Sequence, residues 1–518
     1  MKSRCIAVSM LSMICCLSLS VNIATADYDP TIERVQLELT ALGYEPGPAD
    51  GEMREETGAA IQKYQEENKL EPTGKADEAT LKKLKIGLPE VKCSGIKCTI
   101  KYGLTDEIFE QVKLYLSENE RANEINLSLG TNIDLKKLPA LGEFLFRLEV
   151  TNSNYITDIT PLSELTNLEM LRLTYLRSLT DLTVLNNLQG IKELSLASLG
   201  QPVDIAPLAT LANLEILSLG MLNTDVDESF ESSLLAGKPH LKQLRLTIVK
   251  FDDLSALQDS TELKDVYIEK VTASDVSFLK ACKNITMLKL LNFPVTDLSP
   301  VGELTELSTL YIRDLEVTDL AFLKPLKKLK SLSLANILAT DLSPVGELTE
   351  LTHIYFFAPL AFDDYAPLAK CTKLENLQAT KAESGFSQLD VIASMPNLKA
   401  LYLEDNLNIQ EWDALATAVN LQTLALKGTS FSDLSLLANL QKLFSLSLAE
   451  CAVTNVEAIL DKPIKRLDIK GTKGIDDLTI FKALPTLADL SVKYDKDQFP
   501  QEQIDALNTA IEEAKKKK

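Results

Sequence analysis

The 518-residue chain holds only two histidines, His240 and His353, and eight cysteines, so the side chains that most often carry metal or nucleophilic chemistry are scarce. A zinc peptidase needs histidines and carboxylates at ligand spacing, and two histidines in unrelated positions cannot supply them. A cysteine hydrolase needs a base beside its thiol, but Cys282 and Cys371 fall at inward positions of a repeat and His353 at an outward one. Ser277-Phe278-Leu279-Lys280 has the Ser-x-x-Lys spacing of one hydrolase class, yet it occupies the same repeat slot as Ser299 and Ser343. The pattern points away from an enzyme, with no cofactor and no metal expected. A formal net charge of -21 argues equally against nucleic acid or an anionic membrane as a partner, since phosphate-rich surfaces need basic patches.

What remains is binding chemistry. Tyr267, Tyr311, Tyr355 and Tyr402 recur two repeats apart, which spaces neighbours by about 10 Å on a sheet. With Lys289, Arg313, His353 and Phe357 they have the composition of a protein-recognition hot spot, where aromatic rings and arginine dominate.

A repeat must position them. The pattern L-x-x-L-x-L occurs sixteen times from Leu145, with later anchors such as Leu168, Leu263, Leu307, Leu351, Leu398, Leu443 and Leu487, and most intervals between consecutive anchors are 22 or 23 residues. The eleven residues from Asp297 to Leu307 recur unchanged from Asp341 to Leu351. L-x-L reads as a short parallel strand, and Asp with Ser or Thr and Pro reads as a tight helical turn on the opposite side. Each unit buries its leucines against its neighbours only, so the expected fold is a curved α/β leucine-rich-repeat solenoid with a parallel concave sheet. The aspartate-led turn signature, as in Asp158-Ile159-Thr160-Pro161-Leu162, resembles internalin-type bacterial leucine-rich-repeat proteins, surface proteins that bind protein partners. One position departs from that resemblance. Where such proteins place a turn asparagine, this chain has Leu199, Val249, Val271, Phe293, Leu315, Ile337 and Cys451, with Asn406 matching, so apolar packing is expected to replace an asparagine ladder.

Ahead of the repeats, Val35-Gln36, Leu42-Gly43-Tyr44, Asp50-Gly51, Thr57, Ala60-Ile61, Tyr64-Gln65, Thr73-Gly74, Asp77 and Thr80-Leu81 follow one another in a fixed order. That order resembles the small three-helix all-α peptidoglycan-binding domain attached to many bacterial wall enzymes. The resemblance implies peptidoglycan as a partner, with Tyr44, Asp50, Arg54, Thr57, Tyr64 and Gln65 as candidate contacts; Asp50 and Asp77 are expected to cap the helices that follow them. Arg54 stands where the family usually has a second glycine.

Residues 1–26 read as a signal peptide, with Lys2 and Arg4 before an apolar run and Ala24-Thr25-Ala26 before Asp27. The organisation expected is a leader at 1–26, a peptidoglycan-binding-like domain at 27–87, a linker, cysteine hairpin and cap at 88–144, repeats at 145–493, and a capping helix with lysine tail at 494–518. Cys93 and Cys98 would face each other across a hairpin as a disulfide in an oxidising compartment. The chain reads as an exported periplasmic or envelope protein that binds peptidoglycan and an unidentified protein, with no membrane insertion after cleavage. A secreted host-interaction factor and an inhibitor of a wall hydrolase are the alternatives.

Overall fold

A computed structural model describes residues 29–518 apart from 131, 226, 361, 363, 381–385 and 496. The leader expected at 1–26 lies outside the described residues. The chain divides into two units, one running up to Val91 together with Lys101–Gln111, the other comprising Lys92–Ile100 and Val112–Lys518.

The first unit is built on three helices, α1 (Pro30–Ala41), α2 (Glu55–Glu67) and α3 (Glu78–Leu84). Val35, Leu39, Ala60, Ile61, Tyr64, Leu81, Leu84 and Ile86 make its core. Proline opens α1, where its missing N–H costs nothing, and the Asp29 carboxylate accepts from Thr31 N at 2.7 Å. Asp77 caps α3 by accepting from Thr80 N at 2.9 Å. Asp50 does not cap α2 as the sequence suggested. It lies too far upstream of Glu55, and its carboxylate accepts instead from Glu52 N and from the Arg54 guanidinium. Arg54 itself has an extended backbone with φ of -100°, a conformation that needs no glycine.

The strands Glu90–Ser94 and Lys97–Lys101 pair as a hairpin closed by a Cys93–Cys98 disulfide. From Glu124–Ser128 to Ser491–Lys493, successive strands then pair parallel in chain order. Their leucines point inward and are buried, and the residues between them face solvent; Arg147–Thr151 shows the alternation, with Leu148 and Val150 buried. Opposite the sheet each repeat makes one turn of 3-10 helix, such as Thr160–Glu164 or Ser299–Glu303. The turn starts on an aspartate whose carboxylate accepts the N–H two residues on, at 2.8 Å from Asp158 to Thr160 and from Asp297 to Ser299. The result is a leucine-rich-repeat solenoid.

A backbone feature repeats as well. The residue seven positions after the repeat anchor turns left-handed at Asn152, Asn292, Asp314, Asn336 and Asp405, with φ between 47° and 60°, and Gly428 and Gly471 take the same place. The bend keeps its N–H in the ladder, as when Asn292 donates to Arg313 O at 2.8 Å. Ile248 adopts it too, an outlier for a β-branched residue.

The next position carries the expected substitution for part of the array: Leu199, Val249, Val271, Phe293, Leu315 and Ile337 are buried. Toward the C-terminus the substitution is polar instead. Asn406 Nδ2 donates to Leu403 O at 2.9 Å and to Ala379 O, Thr429 Oγ1 to Leu426 O at 2.7 Å, Cys451 Sγ to Leu426 O at 3.0 Å, and Thr472 Oγ1 to Leu448 O at 2.8 Å. Cys451 is therefore a member of a hydrogen-bonded ladder and not an apolar filler. The array closes on the helix Gln501–Lys517, which buries Ile504, Leu507 and Ile511.

Candidate functional site

Six residues of the first unit were candidates for a glycan, and the structure sorts them by burial. Gln65 is fully buried, and its amide nitrogen donates to Thr73 Oγ1 at 3.0 Å, Lys75 O at 3.0 Å and Thr80 Oγ1 at 2.7 Å, while its oxygen accepts from Gly74 N at 2.9 Å. Thr57 is also buried, donating to Pro46 O at 2.7 Å. Tyr64 packs in the core with its ring edge-on to Tyr44, centroids 5.7 Å apart. Gln36, which the sequence reading passed over as a contact, mirrors Gln65: its oxygen accepts from Asp50 N at 3.1 Å and Gly51 N at 2.9 Å, and its nitrogen donates to Glu52 O at 2.9 Å. Two buried glutamines thus each hold one glycine loop. The parallel between Val35-Gln36 and Tyr64-Gln65 was the available signal.

Three candidates reach solvent. Tyr44 donates to Glu67 Oε2 at 2.6 Å, and that bond with some burial pushes its phenol up to about 12; Lys63 Nζ sits 5.7 Å from its ring centre. Arg54 pairs with Asp50 at 2.6 Å and Glu52 at 2.5 Å. The Arg54 hydrogen bond holds the Asp50 carboxyl below its usual range.

On the sheet, register settles which side chains are neighbours. Arg245, Tyr267, Lys289, Tyr311, Ser333, Tyr355, Gln378, Tyr402 and Ala425 pair in succession, so the four tyrosines stand on alternate strands of one row. Strand pairing at about 4.8 Å puts successive tyrosines roughly 10 Å apart. At the row's far end Lys493 pairs with Asp468, because the turn Leu487–Asp489 sets the last strand two residues later relative to its Leu487 anchor than in the other repeats.

Two of the rings are covered by cations of the chain itself. The Arg245 guanidinium lies 4.2 Å from the Tyr267 ring centre and Lys289 Nζ 4.8 Å from that of Tyr311. Arg313 donates to Glu269 Oε1 at 3.0 Å across the intervening Leu291, and Tyr267 donates to Glu269 Oε2 at 2.5 Å. Along the strand His353–Leu360, three rings stand like plates: His353 and Tyr355 at 6.2 Å, Tyr355 and Phe357 at 6.5 Å and nearly parallel. Burial, with the neighbouring Tyr311 and Tyr402 phenols, pushes the Tyr355 hydroxyl up. Beside Tyr267 the face dips into a hollow of about 250 Å³ lined by Ser218, Arg245, Met287 and Lys289. The repeat register of the sequence already sets Arg245 in the tyrosine column and Glu269 beside Arg313; the contacts among them are what the structure adds.

Residues that tempted a catalytic reading are placed structurally. Cys282 and Cys371 are buried, and burial pushes both thiols up to about 11. Ser277 hydrogen-bonds Asp275 in its turn, at 2.7 Å from N and 2.8 Å from Oγ. His240 pairs with Glu262 at 3.3 Å. Among the described residues no group of three or more His, Cys, Asp or Glu could hold a metal ion, and no helix is long and apolar enough to cross a membrane.

Residues 28–84 match the family model of the peptidoglycan binding domain. Among solved structures, the chain is similar to a leucine-rich-repeat protein of Leptospira interrogans, 18% identical with a TM-score of 0.51, covering 79% of this chain and 91% of that one. It is also similar to an internalin of Listeria monocytogenes, 20% identical with a TM-score of 0.44, covering 83% and 99%. A comparison with curated proteins finds no match. The chain thus joins a segment that matches a peptidoglycan-binding model to a leucine-rich-repeat fold.

Proposed function

We propose that this chain is an exported, non-catalytic envelope protein that holds peptidoglycan through its N-terminal unit and captures a protein partner on the tyrosine row of its sheet. The row carries the reading: four tyrosines in register on an open sheet, with His353, Phe357 and Arg313 beside them, form an anchor surface longer than any small metabolite. Sheet propensity alone favours tyrosine at such positions but gives no reason for one column to hold four of them on alternate strands. On the wall side, Tyr44, Asp50 and Arg54 are the exposed candidates for glycan contact, and Thr57, Tyr64 and Gln65 act behind them by fixing the loops.

The tests are separable. Full-length protein should sediment with purified sacculi, and loss of sedimentation on deleting residues 28–84 is the expected control; sedimentation unchanged by that deletion contradicts the wall assignment. Replacing Tyr311 and Tyr355 with alanine should leave the fold and the sedimentation intact and abolish partner capture.

A further inference from the structure

The chain carries the same tripeptide pattern twice, each time with its tyrosine in the central row, the second glutamate lying in the turn just past its strand, and only the first glutamate is bonded by an arginine of the chain. Tyr267-Ile268-Glu269 and Tyr402-Leu403-Glu404 both place a tyrosine in the central row and a glutamate two residues on. In the first copy two arginines of the chain fill the pair: Arg245, one strand before, covers the Tyr267 ring at 4.2 Å, and Arg313, two strands after, bonds Glu269 at 3.0 Å. In the second copy the strand before offers Gln378. At the same offset from its repeat anchor as Arg313 the second copy has Ala449, and the nearer Lys427 bonds Glu450 at 3.3 Å, acting on Glu404 only through space. Among the described residues no ion pair reaches Glu404.

Next to this second pair lies a hollow of about 530 Å³, lined by Tyr402, Glu404, Thr423, Ala425, Ser445 and Ser447 on its near side. Small side chains leave room there for a long one. We infer that the Tyr402–Glu404 pair is a recognition site for an arginine side chain of the protein partner, which would stack on the Tyr402 ring and bond the Glu404 carboxylate as the chain's own arginines do at Tyr267 and Glu269. This rests on the sheet face being the partner-binding surface. A guanidinium is the fitting group because it is planar, always charged, stacks on aromatic rings and pairs with carboxylates. The far side of the hollow holds Arg466 and Lys493, with Asp468 between them in the register. The backbones of those cations stand three strands or more from Tyr402, about 14 Å, with Asp468 beside them.

The experiment titrates the full-length protein, carrying ring-labelled tyrosine, with N-acetyl-arginine amide and with the uncharged isostere N-acetyl-citrulline amide, reading ring resonances by NMR. Arginine amide should move the Tyr402 resonance saturably and leave Tyr267, already covered, in place; citrulline amide should not. Glu404→Gln should weaken the arginine titration about tenfold, the effect of losing about 1.4 kcal/mol. Gln378→Arg, which supplies the equivalent of Arg245 from within the chain, should block it. An unmoved Tyr402 resonance, an equal response to citrulline, or no change in Glu404→Gln overturns the inference. Failure of the broader reading shows elsewhere: partner capture unaffected by the Tyr311 and Tyr355 substitutions sinks the binding face itself, whereas capture lost there but kept in Glu404→Gln sinks only the arginine site.

Discussion

The side-chain oxygen of buried Gln65 accepts the backbone N–H of Gly74 at 2.9 Å, so a loop glycine of the first unit is held from inside the core. Replacing Gln65 with leucine keeps the volume but leaves that N–H without its acceptor, while the hydroxyls of Thr73 and Thr80 keep their bonds to Asp77. The expected cost is about 2–3 kcal/mol, because a buried donor left unpaired costs its desolvation. Amide hydrogen exchange at Gly74 should accelerate strongly while exchange in the repeats stays unchanged. Equal protection in wild type and variant contradicts the clamp.

Asn406 is a buried amide of the second unit on which backbone geometry depends. Its oxygen accepts from Phe386 N at 3.2 Å, and its nitrogen ties the repeat to the one before through Ala379 O. Asn406→Leu should destabilise the second unit by about 2–4 kcal/mol, whereas Leu315→Asn at the equivalent apolar position should also destabilise it by burying an amide among hydrophobic neighbours. Urea unfolding of both variants checks the pair. A neutral Asn406→Leu would show that the polar ladder carries no load.

Lys238 occupies the inward slot that Cys282 and Cys371 fill in their repeats, and it is fully buried, donating to Leu208 O at 3.0 Å and Ala236 O at 3.3 Å. Burial pushes its ammonium down to about 8 from 10.5. Between those values the unfolded chain holds a proton that the folded chain has released, so stability contributed by this group rises with pH from about 8 to 10.5. The stability difference between wild type and Lys238→Met should therefore shift toward wild type across that window. A pH-independent difference contradicts it.

Asp297 and Asp341 start turns of the same type two repeats apart, and hydrogen bonds from Ser299 and Ser343 hold both carboxyls below the ordinary 3.8. Depressed carboxyls contribute stability that is lost as pH falls below that value. The double variant Asp297→Asn with Asp341→Asn should blunt the acid unfolding of the repeats below pH 3.8, measured by circular dichroism.

The solenoid was legible because each leucine has one environment: Leu310 and Ile312 are inward in every register the sheet allows, and a 22-residue period states this repeatedly. Register also made the tyrosine row legible. What stayed hidden depended on contacts the pattern does not encode. Nothing in the spacing says that Asp50 turns to Arg54 instead of to α2, or that the turn Leu487–Asp489 delays the last strand. Burial of Thr57, Tyr64 and Gln65 followed from how three short helices close on one another, which a motif order cannot distinguish from exposure. The Tyr267 network was missed for a related reason: Arg245, Glu269 and Arg313 lie on different strands and become one cluster only after the sheet forms.

One measurement joins both halves of the proposal. Sacculi loaded with full-length protein are incubated with an envelope extract, washed and analysed by mass spectrometry, using wild type and the Tyr311→Ala, Tyr355→Ala double variant at equal loading. The account predicts a specific protein retained with wild type and absent with the variant, while both chains sediment equally with the sacculi. Retention of the same protein by both chains contradicts the claim that the tyrosine row is the surface on which a wall-held partner docks.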